Sequence, residues 1–198
     1  MSGSKINLAF FASGNGSALR HVHGLLEKSA LPFSIRLIIT NNSACGCAQW
    51  AREQDLPVAA FERTFAGEAT DEQCLEILRK HKIDLIILGG FLRKVGPRVL
   101  AAFTGRIFNV HPALLPKFGG RGMYGRHVHE AVLAAGESHT GATLHQVDAA
   151  YDEGAIILQT KVETKPDDTA DRLGDRVIRA EAELLRYFLN HYAGGNVA

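Results

Sequence analysis

Short apolar runs alternate, over the first half of the chain, with segments that have the mixed apolar and polar spacing of helices. The strand-like runs are residues 6–11, 35–39, 57–61, 85–89 and 107–111, and the helix-like segments are 18–27, 45–54, 70–81 and 96–103. This alternation is typical of βαβ units. Because crossovers between parallel strands are right-handed, such units build a parallel sheet.

The run 85–88 is apolar without alternation, as expected of a strand that helices cover on both faces. We therefore predict an α/β fold with a doubly wound, mostly parallel sheet and helices on both faces, similar to a Rossmann fold. Thr70 and Gln73 have the spacing of a capping box, which predicts that the third helix begins near Thr70.

After Pro112 the chain enters a loop that contains Gly119, Gly120, Gly122 and Gly125. Beyond it we predict a helix over 128–135, strands over 142–147 and 155–162, and a last helix over 169–190. The last helix has apolar residues on one face, namely Leu173, Val177, Leu184 and Phe188. Because the two strands can extend the same sheet, we predict a single domain over residues 1–198, with halves at about 6–111 and 112–190.

The charges of the chain are nearly balanced, with 22 Lys and Arg residues against 21 Asp and Glu residues. Such a chain has no global field that attracts nucleic acid or an anionic membrane, so we predict neither partner. The first residues lack the apolar region of a signal peptide, and no apolar run approaches the roughly 20 residues that cross a bilayer, which indicates a cytoplasmic protein. Cys45, Cys47 and Cys74 are not spaced as a disulfide framework and are expected to be free thiols.

A glycine-containing loop, Ser-Gly-Asn-Gly-Ser at 13–17, follows the first predicted strand and opens a helix. Backbone N–H groups at a helix N-terminus can bind an anion, so this loop is a candidate phosphate site. Leu19 occupies the third glycine position of a dinucleotide fingerprint and no Gly-Lys-Ser/Thr follows, so a nicotinamide cofactor is not indicated. The alternative is a tight turn that needs glycine for its backbone conformation alone.

Asn109 and His111 are separated by one residue, so on a strand their side chains leave the same face. Pro112 ends the strand and places both at its carboxyl end, where open α/β sheets bind ligands. They are candidate catalytic residues, although an Asn and a His that only hydrogen-bond a turn would give the same pattern. Asp152 is a third candidate, but Asp148 and Glu153 compete with it and spacing does not select among them.

Four segments together resemble a known family. They are 13–17, Gly-Gly-Phe-Leu-Arg at 89–93, Asn-Val-His-Pro-Ala-Leu-Leu-Pro-Lys at 109–117, and Gly-Ala-Thr-Leu-His-Gln-Val-Asp-Ala-Ala-Tyr-Asp-Glu-Gly at 141–154. In this order they are similar to the phosphoribosylglycinamide formyltransferases, a branch of the folate-dependent formyltransferases. The resemblance implies transfer of a formyl group from the co-substrate 10-formyltetrahydrofolate to the amine of glycinamide ribonucleotide, in de novo purine biosynthesis.

The resemblance also implies roles for individual residues. Asn109, His111 and Asp152 take the catalytic positions, in a folate and catalytic half that follows a nucleotide-binding half. The positions implied to hold the ribonucleotide are Asn15, Gly16, Ser17, Ala18 and Glu181. The positions implied to contact the folate are Leu92, Arg93, Lys94, Val95, Asn109, Asp148, Ala149, Ala150, Tyr151 and Asp152.

Three features depart from the pattern of the family. Ala18 stands where an asparagine is usual, and the loop 119–126 replaces a shorter one. An arginine expected near 63–67 has no clear counterpart, although Arg63 is available. The loop 117–126 is expected to be either a lid over the acceptor phosphate or a surface loop whose turns need glycine.

The residue types fit direct attack of the acceptor amine on the formyl carbon, with Asn109 and a charged His111 stabilising the developing oxyanion. Asp152 beside His111 is expected to raise the pKa of the imidazole and so favour its charged form. The proton that leaves the amine can be relayed by Asp152, His111 or an ordered water.

Other interpretations stay open at this point. A sugar-nucleotide N-formyltransferase, a methionyl-tRNA formyltransferase or a formyltetrahydrofolate hydrolase would share the catalytic segment, and a nucleotide-binding module without catalysis would share the glycine loop.

The pairs Cys45/Cys47, His21/His23 and His127/His129 lack the spacing of a four-ligand zinc site, so we predict no metal. Cys74 is expected to be a small core residue. We predict a monomer or a homodimer that acts on small molecules.

Overall fold

The computed structural model describes residues 5–61 and 67–195, and it divides the chain into two compact units, residues 1–108 and 109–198. The first unit contains β1 (Ile6–Phe11), α1 (Ser17–Glu27), β2 (Phe33–Thr40), α2 (Gly46–Glu53), β3 (Val58–Ala60), α3 (Glu68–Lys80), β4 (Leu85–Gly89), α4 (Pro97–Ala102) and the first residues of β5 (Ile107–His111). The second unit contains the end of β5, then α5 (Arg126–Ala134), β6 (His139–Gln146), β7 (Ile156–Glu163) and α6 (Ala170–Ala193).

The strands of the first unit lie in the order β3-β2-β1-β4 and are parallel. Leu8 of β1 pairs with Ile35 on one side and with Leu85 on the other. The strand order therefore reverses at β1, and ligands of doubly wound sheets bind at the carboxyl ends of strands beside such a reversal. The glycine loop leaves β1 at this end.

The sheet has seven strands in all, and β5-β6-β7 complete its order. β6 and β7 are antiparallel, with Thr143 opposite Gln159. This arrangement confirms the predicted α/β fold with a mostly parallel, doubly wound sheet.

The last helix packs with the face that the sequence predicts. Leu173, Val177 and Phe188 are fully buried, and Leu184 is 5% exposed. Thr169 caps the helix by accepting a hydrogen bond from the backbone N–H of Arg172 over 3.3 Å. The helix continues to Ala193, three residues beyond the predicted end at Asn190.

The predicted capping box at Thr70 is wrong. α3 begins at Glu68 after the N-cap residue Gly67, so Thr70 lies inside the helix. The first turn instead places the carboxylates of Glu68 and Asp71 near the positive end of the helix dipole. The Thr-x-x-Gln spacing forms a capping box only when the threonine is the N-cap residue, and here the N-cap is Gly67.

Asp71 has a second task, because its carboxylate caps the short helix α4. The backbone N–H groups of Arg98 and Val99 donate to its two oxygens over 2.7 and 3.2 Å. A Cβ on Gly96 would lie 2.2 Å from the Asp71 carboxyl carbon, so glycine is required for this close approach. The carboxylate is 5% exposed and links α3 to α4.

We expect Asp71→Ala to lower the free energy of unfolding by about 1–3 kcal/mol, because two helix N–H groups would lose their acceptor. Urea denaturation measures the change. Glu76→Ala, an exposed position of the same helix, is the matched control and should stay within about 0.5 kcal/mol of the wild type. Equal effects of the two substitutions would contradict the capping role.

Candidate functional site

Asn109, His111 and Asp152 come together in the second unit. Asn109 and His111 project from β5, and Asp152 lies in the loop between β6 and β7. His111 Nδ1 is 3.5 Å from Asp152 Oδ2, and Asn109 Nδ2 donates to Asp152 Oδ1 over 3.4 Å. The structure thus selects Asp152 from the three carboxylates that spacing left equivalent.

The Asp152 carboxylate is held by the glycine-rich loop that follows β5. The backbone N–H of Gly120 donates to Asp152 Oδ2 over 2.9 Å. Asp152 itself has a φ of 58°, in the left-handed region that residues other than glycine rarely adopt. Burial raises the pKa of this carboxyl, but the neighbouring His145 and His111 side chains and the Gly120 N–H together outweigh that effect, so the pKa is lowered. Asp152 is therefore ionised at neutral pH.

His111 is 3% exposed, and its ring is oriented by a backbone carbonyl. Since the Phe118 carbonyl oxygen can only accept, His111 Nε2 donates to it, over 2.8 Å. Nδ1 then faces Asp152. The Asp152 charge raises the pKa of His111, as expected, but burial lowers that pKa by more. The net pKa lies below the ordinary value, so the expectation of a charged imidazole is wrong. The imidazole is neutral at neutral pH.

His145 is a site residue that the sequence analysis did not single out. It lies on β6, is 2% exposed, and its Nε2 is 3.0 Å from Asn109 Nδ2 and 3.5 Å from Asp152 Oδ1. Its Nδ1 lies 2.8 Å from the carbonyl oxygen of Gln146, so Nδ1 donates and Nε2 accepts from the Asn109 amide. The available signal was a histidine within the predicted strand 142–147, two residues after Thr143.

Thr143 fixes the chain that leaves β5. Its buried hydroxyl donates to the Ala113 carbonyl over 2.6 Å and accepts from the Leu115 N–H over 3.1 Å. Gln159 Nε2 donates to the same oxygen over 2.8 Å. The segment between His111 and the glycine-rich loop is thereby attached to both β6 and β7.

The candidate phosphate loop of the first unit needs glycine for two reasons. Gly16 is the N-cap of α1 with a φ of 69°, and a Cβ on it would lie 2.6 Å from the Cβ of Cys47. The structural explanation of this glycine is therefore sufficient by itself and does not exclude anion binding. Ala18 is 4% exposed, so its methyl group belongs to the core and only its backbone is available to a ligand.

Ser13 connects this loop to the segment implied to contact the folate. Its hydroxyl accepts from the backbone N–H of Leu92 over 2.9 Å and donates to Asn41 Oδ1. In that segment, 92–95, Leu92 is 42% exposed and Val95 is buried. The other segment implied to contact the folate, 148–152, likewise exposes an aromatic ring, Tyr151 at 37%.

Glu181 is buried in α6, with 8% of the residue exposed. Burial raises the pKa of its carboxyl from the ordinary value of 4.5 to about 8. A carboxylic acid that stays protonated at neutral pH can donate a hydrogen bond as well as accept one.

All three cysteines are free, as predicted, and all three are buried. Burial raises the pKa of Cys74 to about 12, which fits its predicted role as a core residue.

In the parts of the chain that the structure describes, no group of three or more His, Cys, Asp and Glu side chains is placed to hold a metal. No helix there is long and apolar enough to cross a membrane. Arg63 lies outside the described residues.

Comparison with known proteins places the chain in a family. The family described as formyl transferase matches residues 6–189. The chain belongs to the formyl transferase family.

This formyl transferase is similar to proteins named phosphoribosylglycinamide formyltransferase. The chloroplastic protein of Vigna unguiculata is 40% identical over 179 residues, which cover 89% of this chain and 57% of the relative. The Bacillus subtilis protein is 34% identical over 175 residues, which cover 87% of each chain. The chain spans about three fifths of the length of the plant relatives, with 57% for Vigna unguiculata and 62% for Arabidopsis thaliana.

Solved structures of the same name share the fold. The structure from Brucella melitensis has a TM-score of 0.86 and 32% identity, and covers 98% of this chain and 99% of its own. The structure from Bacillus halodurans has a TM-score of 0.84 and 32% identity, over 92% and 93% of the two chains. The formyl transferase fold therefore extends over nearly all of this sequence.

Because burial dominates at His111, we expect its imidazole to titrate below its ordinary pKa of 6.5. Asp152→Asn should lower the pKa of His111 further, since it removes the charge that opposes burial. NMR titration of the ¹³C-labelled ring measures both values. Asp175→Asn, an exposed position on α6, is the control and should leave the titration unchanged. A midpoint above 6.5 in the wild type would overturn the assignment.

Glu181 should make stability fall as pH rises. Below about pH 4.5 both states keep the proton, whereas between about pH 4.5 and 8 the unfolded chain loses it and the folded chain does not. As the pH rises from about 5 to 8, the wild type should therefore lose several kcal/mol of stability that Glu181→Gln keeps. Urea denaturation at pH 5 and at pH 8 measures the free energy of unfolding of both proteins, and Glu183→Gln, at an exposed position, is the control. A difference in stability between variant and wild type that does not change with pH would contradict a raised pKa of Glu181.

Proposed function

We propose that this formyl transferase transfers the formyl group of 10-formyltetrahydrofolate to the amine of glycinamide ribonucleotide. The observation that carries the proposal is the cluster of Asn109, His111 and Asp152 at the end of β5, in a chain of this family. The names of its relatives supply the acceptor. A cytoplasmic location and a monomeric or homodimeric state stay predictions.

The proposed chemistry is direct transfer. The acceptor nitrogen attacks the formyl carbon, a tetrahedral adduct forms, and the bond from that carbon to N10 of the folate breaks. The amide N–H of Asn109 stabilises the oxyanion of the adduct. In the unliganded site this amide donates to His145 and, over a long 3.4 Å contact, to Asp152, so an oxyanion can replace the weaker of these acceptors.

The sequence predicts a charged His111 that stabilises the oxyanion, but the contacts of this residue support a different role. Its Nε2–H is already bound to the Phe118 carbonyl, and burial keeps the ring neutral. We therefore assign to Nδ1 and the Asp152 carboxylate the task of receiving the proton that the attacking amine loses, instead of an imidazolium that binds the oxyanion. The same pair returns a proton to N10 when the carbon–nitrogen bond breaks, so that proton and charge balance over the cycle.

Each unit offers candidate substrate contacts of its own. In the first unit, the backbone of residues 15–18 would hold the acceptor phosphate. In the second unit, the protonated Glu181 can donate a hydrogen bond as well as accept one. The exposed Leu92 and Tyr151 lie in the segments 92–95 and 148–152 that would contact the folate, and an aromatic pterin would cover such apolar surface.

The decisive experiment follows release of tetrahydrofolate from 10-formyltetrahydrofolate by absorbance, with and without glycinamide ribonucleotide. Acceptor-dependent release is the expected result. Release that does not need the acceptor would indicate a hydrolase, and no release with either mixture would overturn the proposal.

Asn109→Ala should lower kcat about 10²–10³-fold, because one oxyanion donor is lost, while circular dichroism and melting temperature change little. Asn190→Ala is a matched control, since Asn190 is an exposed amide near the end of α6. It should retain wild-type turnover. A folded Asn109→Ala enzyme with unchanged kcat would remove Asn109 from the mechanism.

A further inference from the structure

Two thiols lie side by side next to the glycine loop and have no task in the proposed reaction. Cys45 Sγ and Cys47 Sγ are 3.1 Å apart. A disulfide bond is about 2.05 Å long, so the two sulfur atoms need to approach by only about 1 Å to be joined. Cys45 is 7% exposed and Cys47 is fully buried, so of the two residues only Cys45 reaches the surface.

The surroundings of the two sulfur atoms make them unequal. Cys45 is the N-cap residue of α2, and its sulfur is 3.3 Å from the Thr40 hydroxyl. Burial raises the pKa of Cys45, but the hydrogen bonds from Thr40, Cys47 and backbone N–H groups outweigh it and lower the pKa. Burial raises the pKa of Cys47 to about 12. Cys45 is therefore the more readily ionised thiol, and Cys47 keeps its proton.

The backbone around the thiols supports the glycine loop. Cys47 N–H donates to the Gly14 carbonyl over 2.9 Å. Gly16 packs directly on the Cys47 side chain, since a Cβ on Gly16 would lie 2.6 Å from Cys47 Cβ. A Cβ on Gly46 would lie 2.8 Å from Asn15 Oδ1, so the residue between the two cysteines also touches the loop.

We propose that Cys45 and Cys47 form a modification site for hydroperoxides, at which oxidation closes an intrachain disulfide and displaces the loop at residues 14–16. The Cys45 thiolate attacks hydrogen peroxide, which leaves a sulfenic acid on Cys45 and releases hydroxide. The Cys47 sulfur attacks that sulfur, its proton joins the leaving hydroxide, and the disulfide forms. Overall, two thiols and one hydrogen peroxide give one disulfide and two waters.

A consequence for the ribonucleotide rests on the function proposed above. If residues 15–18 hold the acceptor phosphate, a shift of about 1 Å in the wall of the loop should raise KM for glycinamide ribonucleotide about tenfold or more. A dithiol such as dithiothreitol should restore the original value, because the disulfide is reducible.

The first arm of the test is chemical and needs no substrate. The protein is treated with hydrogen peroxide, alkylated with iodoacetamide and digested with trypsin, which releases Cys45 and Cys47 together in peptide 37–52 and Cys74 in peptide 64–79. The expected product is an unalkylated peptide 37–52 lacking two hydrogens, with Cys74 unaffected. Both thiols of 37–52 remaining free, or ending as sulfinic acids, would overturn the proposal.

Variants separate the thiol pair from general oxidation. Cys45→Ser and, in a second protein, Cys47→Ala should abolish the loss of two hydrogens, whereas Cys74→Ala should retain it. Thermal melting verifies that each variant is folded. A disulfide between Cys74 and either partner would also overturn the proposal.

The second arm reads the displacement of the loop. Trp50 is the only tryptophan of the sequence, lies in α2 and has the Arg20 guanidinium 5.3 Å from its ring centre. Arg20 also donates to the carbonyl oxygens of Asn15 and Gly46, over 3.0 and 3.3 Å. Oxidation should therefore shift the Trp50 emission in the wild type and in Cys74→Ala, but not in Cys45→Ser.

Kinetics with the oxidised and the reduced enzyme complete the test. A disulfide that forms but leaves both Trp50 emission and KM for the ribonucleotide unchanged would overturn the displacement of the loop. If the reduced enzyme does not use glycinamide ribonucleotide at all, the proposed function fails. The modification site is then decided by the peptide mass and the Trp50 emission alone.

Discussion

The candidate site depends on one partly buried carboxylate. Asp152 accepts from Gly120 N–H and from the Asn109 amide, and it lies 3.5 Å from both His111 and His145. Each of these groups is polar and mostly withdrawn from water, so each would cost free energy without a partner. The carboxylate supplies that partner for the Gly120 N–H and the Asn109 amide, whereas the rings of His111 and His145 donate to the carbonyls of Phe118 and Gln146. Its left-handed backbone conformation is a local strain that the surrounding contacts maintain, as is common at functional sites.

The balance between burial and hydrogen bonding, more than the nearest charge, decides the protonation states of these groups. Asp152 stays ionised because several donors compensate its desolvation, whereas His111 stays neutral although a carboxylate lies beside it. Glu181 and Cys47 show the same effect, with the pKa of each raised well above its ordinary value. A neutral His111 next to an ionised Asp152 can take up a proton, which is the condition that the proposed transfer needs.

Backbone groups position the chemistry as much as side chains do. The Phe118 carbonyl selects the tautomer of His111, and the Gly120 N–H fixes Asp152, so the loop after β5 orients both members of the pair. In the first unit, the Gly14 carbonyl accepts a hydrogen bond from the Cys47 N–H, and Gly16 packs closely against the Cys47 side chain. A loop held by its backbone leaves its N–H groups available to a ligand, and it also makes the loop sensitive to changes in the residue beneath it.

Local sequence determined the elements, because apolar runs and helical periodicity are properties of neighbouring residues. β1, β4 and β5 have the predicted bounds, and the buried face of α6 is the predicted one. The paired positions of Asn109 and His111 also follow from strand alternation, and the family follows from ordered segments. Tertiary structure decided what depends on groups distant in the chain. The start of α3 at Glu68 and the capping of α4 by Asp71 depend on packing between helices, and the choice of Asp152 over Asp148 depends on Gly120 and Asn109. The position of His145 in the site, the neutral form of His111 and the proximity of Cys45 and Cys47 depend on folding too, because desolvation and directional hydrogen bonds exist only once the chain has buried these side chains.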